Sequence, residues 1–109
     1  MSRQYAVYVA DPAADDLARC LEYISVDLQS PMAAARLLAD MGRFIQSLAS
    51  FPSRFRLLPR SPWRERGYHC ASVRNYIVIY KVDEARGEVF VSRVFHSLQN
   101  WEAMLETLP

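Results

Sequence analysis

Between Gly67 and His96 the chain leaves little freedom of fold. Three runs of β-branched and aromatic residues, separated by two turn-like breaks, predict an antiparallel meander. Its strands are expected at Tyr68 to Ser72, Tyr76 to Val82 and Glu88 to Phe95. Arg74-Asn75 forms a tight connection, and Asp83 to Gly87 forms a loop that ends in glycine. Tyr76-Ile77-Val78-Ile79-Tyr80 is apolar throughout, as in a strand covered on both faces, so the middle strand is expected to be the best buried.

Upstream, Gln4 to Val9 alternates and predicts another strand. Asp11-Pro12 opens a helix to about Asp27, with Asp11 as cap and Asp15 and Asp16 near the positive end of its dipole. Leu17, Cys20, Leu21, Ile24 and Leu28 recur at offsets of three and four and form its core face. Ser30-Pro31 opens a second helix with the stripe Ala34, Leu37, Leu38, Met41, Ile45 and Leu48, and Phe51-Pro52 ends it. So short a link predicts an antiparallel hairpin, whose stripe needs a sheet to cover. Gly42 costs this helix about 1 kcal/mol relative to alanine, a cost that close helix packing would explain. Phe55 to Leu58 is expected as a short edge strand, and Ser97 to Leu105 as a helix docking Trp101, Met104 and Leu105.

The fold class is therefore α+β in the order β-α-α-β-β-β, a helical hairpin on a small antiparallel sheet with a short C-terminal helix. With 109 residues, 51% of them hydrophobic, residues 1–109 are expected to form one domain with a core that needs no disulfide. The apolar runs are too short to span a membrane and no export signal is recognisable, so the expected location is the cytoplasm. Cys20 and Cys70 read as reduced structural thiols. They have no ligand-like spacing to each other or to His69 and His96, so neither metal nor cofactor is expected.

A net charge of +1 conceals an uneven distribution. From Arg54 to Arg74 the chain carries Arg54, Arg56, Arg60, Arg64, Arg66 and Arg74 against one acid, Glu65. Guanidinium forks match phosphate and carboxylate, so an anionic partner competes with the reading of a plain solvated loop.

The element order, together with Tyr23-Ile24, Ser30-Pro31, Ala33 to Leu38, Arg66-Gly67-Tyr68, Val73 to Asp83, Arg93-Val94-Phe95-His96 and Gln99-Asn100-Trp101, resembles the RelE/ParE superfamily of bacterial type II toxin-antitoxin toxins, also called plasmid stabilisation proteins. The resemblance covers almost the whole chain. It implies a growth-inhibiting toxin held silent by a cognate antitoxin encoded nearby, an acidic and amphipathic segment that wraps the domain. Members similar to RelE cut messenger RNA on the ribosome without a metal, whereas members similar to ParE inhibit DNA gyrase without cutting RNA. A family member that only binds its antitoxin is a third reading. A small-molecule substrate is not expected.

RelE-like nucleases usually carry arginine in the strand after the Gly-Tyr phrase and again just after the position of Tyr76. This chain has His69, Ala71 and Ser72 in the first region and Ile77 at the second. For a nuclease, the catalytic candidates are then Arg93 and Arg56 as charge stabilisers and His96 as proton donor. Arg74, Arg66 and Arg64 are the binding candidates. Tyr68, Tyr76 and Tyr80 are expected to pack, and His69 to form a hydrogen bond at the surface or core edge.

Overall fold

A computed structural model describes residues 3–108. Strand β1 (Ala6–Val9) leads into helix α1 (Asp11–Glu22), which continues as a π-helical turn, Tyr23–Asp27. Helix α2 (Pro31–Ser47) returns alongside it, and then come β2 (Tyr68–Val73), β3 (Tyr76–Asp83), β4 (Glu88–His96) and a C-terminal 3-10 helix, Trp101–Thr107. The sheet order is β1-β4-β3-β2. The meander is antiparallel as expected, while β1 joins the outside of β4 in parallel and makes the sheet mixed. β4 is therefore internal, and Val89 and Val91 are as deeply buried as Val78 and Ile79 of β3.

The two sheet faces bury different sets of residues. One takes the helices: Ala13, Leu37, Met41 and Leu48 pack on Ala71, Val78, Tyr80, Val89, Val91 and Val94. The other face is covered by the irregular segment after α2 and by the C-terminal turn. Here Leu58, Trp63 and Leu105 pack on Tyr68, Cys70, Ile79 and Phe95, with Trp101 and Met104 at the margin. Trp101, Met104 and Leu105 dock as the sequence predicts, although the turn is 3-10 and ends later, at Thr107.

Several local expectations change. Asp11 is the first helical residue, not the cap; that place falls to Ala10, whose N–H donates to Val91 O while its carbonyl accepts from Ala14 N. The strand thus runs directly into the helix. Leu28 is 55% exposed because the π turn shifts the periodicity and Leu28 then leaves helical geometry at ψ 0°. Leu38 is 52% exposed, one position round from Leu37 and Met41. Gly42 has open space where a Cβ would sit, so it brings no helix closer. Phe55 to Leu58 forms only a single bridge, Leu57 to His69.

Gly67 is needed for its backbone. Its φ is +85°, and an added Cβ would stand 3.0 Å from Val82 O, the same segment in which Val82 N donates to Gly67 O at 3.1 Å. Gly67→Ala will therefore cost about 1–3 kcal/mol, read as a lower urea midpoint at constant m. An unchanged midpoint would show that this turn tolerates a side chain.

Candidate functional site

β4 outruns β1, and the site follows from that mismatch. β1 ends at Val9, paired with Val91, yet β4 continues to His96. Beyond Val91 its outer edge has no neighbouring strand, so its amides need other acceptors. Asp16 of α1 supplies one: its Oδ2 accepts the Val94 N–H at 2.9 Å. Gln99 supplies the other, accepting the His96 N–H through Oε1 at 2.7 Å.

The same carboxylate holds Arg93. Nε donates to Oδ2 at 2.7 Å and Nη2 donates to Oδ1 at 2.9 Å, a fork in which both side chains are largely buried. Arg19 adds a third cationic contact at 2.7 Å. The remaining Arg93 nitrogen, Nη1, donates to Thr107 Oγ1 at 2.7 Å, and the guanidinium lies over the Phe95 ring. The hydrogen bond to Asp16 pushes the Arg93 pKa above its already high ordinary value. Arg93 thus joins α1, β4 and the C-terminal turn as a permanent cation whose fork is occupied.

Between α1, the end of β4 and the C-terminal turn lies a cleft of about 400 Å3, bordered by Arg19, Cys20, Tyr23, Tyr76, His96 and Met104 among others. His96 stands edge-on to Tyr76 with ring centroids 5.2 Å apart. Its Nδ1 accepts the Leu98 N–H at 3.0 Å, so Nε2 carries hydrogen in the neutral ring. Burial raises the Cys20 thiol pKa, with the Asp16 carboxylate adding to it. Burial likewise raises Tyr76, and its Cys20 neighbour contributes. Both groups stay protonated at neutral pH, and neither is an activated nucleophile.

Arg93 and His96 therefore share one cleft, but Arg56 is not in it. The C-terminal turn stands between them: Met104 lines the Arg93 side, whereas Trp101 and Leu105 line a hollow that holds Arg56. Arg64 and Arg66 are exposed in the loop before β2. Arg74, at φ +54° in the β2–β3 turn, hydrogen-bonds Asp40 of α2, which Arg43 also contacts. The Arg74 bond holds the Asp40 carboxyl below its ordinary value. This tie is present at neutral pH and is released as the pH falls through the lowered value.

His69 is buried, stacked on Tyr80 with Nδ1 2.8 Å from Phe55 O. Burial also raises Cys70. In the native chain both thiols will react with a disulfide reagent about tenfold or more slowly than in urea, and they will gain reactivity later in an alkaline titration than free cysteine does. A fast-reacting thiol at pH 7 would contradict this environment. The sequence reading did not pick out Asp16 or Tyr23 as site residues. Asp16 sits where helix-dipole chemistry already explains an acid, and Tyr23 is 54% exposed on an otherwise apolar face.

The strand-helix-helix-meander order defines a small α+β fold that known proteins share. A family profile described as the ParE toxin of type II toxin-antitoxin systems, parDE, matches residues 7–101. The chain belongs to that family. A comparison with curated proteins gave no match. Among solved structures, the toxin-antitoxin complex RelBE2 from Mycobacterium tuberculosis aligns with TM-score 0.64 and 24% identity, over 85% of this chain and 98% of the other. The chromosomal ParDE system from P. aeruginosa aligns with TM-score 0.68 and 17% identity, over 85% and 96%. At these identities the likeness is one of fold.

Proposed function

We propose that this chain inhibits growth by binding a protein target of the DNA gyrase kind, without cutting RNA, and that a cognate antitoxin silences it. The observation that carries this reading is the state of Arg93: both faces of its fork are engaged, by Asp16 and by Thr107. A phosphorane needs a guanidinium that can turn to it, and a strand of RNA would have to pass over Arg56, Arg93 and His96 together. The docked C-terminal turn interrupts that path. Ile77, and His69, Ala71 and Ser72 in β2, leave no further arginine at the positions where the nucleases usually carry one. The cleft suits protein recognition, since Tyr23, Tyr76 and Met104 stand in it beside the polar groups of Arg19, His96 and Gln99. Such a toxin acts as one domain in the cytoplasm, where its target and antitoxin are found.

The test runs two assays on one preparation. Purified chain added to gyrase will inhibit supercoiling, and the same chain on programmed ribosomes will release no messenger fragment. Co-expression with the product of the adjacent reading frame will relieve growth inhibition. Cleaved messenger in the absence of gyrase inhibition would overturn the reading.

A further inference from the structure

The arginines fall into two populations. Arg19 and Arg93 share Asp16, and Arg43 and Arg74 share Asp40. By contrast, Arg54, Arg56, Arg64 and Arg66 form no ion pair among the described residues. Arg60 meets Glu102 only at 3.9 Å, with both side chains more than half exposed. Glu65, the acid of this segment, takes its hydrogen bond from Ser61. Arg36 of α2 and Arg86 also form no ion pair among the described residues, but they stand singly, so the unpaired positive charge is concentrated after α2.

Two adjoining hollows gather that charge. Arg54 and Arg56 border one of about 310 Å3, with Ser72 and Ile77. Arg56 and Arg60 border another of about 120 Å3, beside Trp101 and the exposed Glu102. Arg56 is common to both, so the three guanidiniums form one strip that runs from Arg54 at the end of α2, where it donates to Ser47 Oγ, to Arg60 beside the C-terminal turn.

We propose that this strip binds the phosphate backbone of duplex DNA. Exposed guanidinium forks, of which only Arg60 meets a carboxylate among the described residues and that one at 3.9 Å, fit a polyanion. An amphipathic helix would need an apolar groove, but Leu58 and Leu105 beneath the strip are already buried. Single strands are held largely by stacking on open aromatic faces. Of the aromatic rings near the strip only Phe51, beside Arg54, is open: Trp63 is buried, Phe55 lies under the Arg54 guanidinium, and Trp101 packs on the cluster around Leu105, so there is no run of faces on which successive bases could stack. A duplex presents its phosphates outward and asks for no stacking. This surface is separate from the Arg93 cleft and does not depend on which protein is the target.

The test is fluorescence anisotropy of the full chain with a labelled 20-base-pair duplex across a salt series. For three neutralised phosphates, affinity will fall about 40-fold between 50 and 200 mM salt, and for Arg56→Ala with Arg60→Ala only about 4-fold, from a weaker start. Arg36→Ala with Arg86→Ala removes the same charge from exposed sites elsewhere and will bind like wild type. Circular dichroism checks that all variants are folded. No binding at 50 mM, equal loss in both double variants, or tighter binding of single-stranded RNA or polyglutamate would each overturn the assignment. Gyrase is absent from the assay, so failure here leaves the target reading untouched.

Discussion

Asp16→Ala will destabilise the chain by about 3–5 kcal/mol, the usual cost of leaving one member of a buried ion pair alone. Three losses coincide. Arg93 keeps its charge at a largely buried position, the Val94 N–H loses its acceptor, and α1 loses its polar tie to β4. For a small domain this is a large share of the total stability. Urea unfolding followed by circular dichroism will show a lower midpoint with the slope unchanged. Asp16→Ala combined with Arg93→Leu will cost less than the two single changes summed, because the second removes the orphaned charge. A loss below about 1 kcal/mol for Asp16→Ala would mean that water replaces the carboxylate at little cost.

Leu105→Ala will cost about 2–5 kcal/mol, as truncation of a buried leucine does where neighbours cannot collapse. Leu105 is 1% exposed against Leu58, Trp63 and Phe95. The change tests whether the C-terminal turn is an integral part of the fold, on which the separation of Arg56 from Arg93 depends. Both tryptophans, Trp63 and Trp101, belong to this cluster, so their fluorescence reports this side alone while circular dichroism reports the whole. Coincident transitions, shifted together in the variant, are the expected result. A fluorescence change that precedes an unaltered main transition would show that the turn undocks on its own.

The sequence made the meander legible because its signals agreed: β-branched runs, turn residues and strand lengths all favoured the same pairing. Observed β3 differs from expectation by one residue, at Asp83. Helix stripes were legible except where the winding changed, at Leu28, or where two adjacent leucines competed for one face, at Leu37 and Leu38. The parallel attachment of β1 was not legible, since alternation from Gln4 to Val9 identifies a strand but not its neighbour. Arg93 and His96 were found as candidates through the family phrase. What composition and spacing could not reveal is that Asp16, 77 positions earlier, occupies the Arg93 fork. Ion pairing across the fold has no local signature, and a charge that looks available in the sequence is spoken for in space.

One consequence of the capped β4 edge concerns exchange with solvent. An amide bonded to a neighbouring strand is released when that strand detaches, but the Val94 amide is bonded to a helix side chain. Its deuterium uptake is therefore set by how often α1 lifts away, whatever the sheet is doing. One proton in the middle of the molecule thus acts as a gauge of helix seating, and a ligand entering the adjacent cleft would be registered there even if no strand moved.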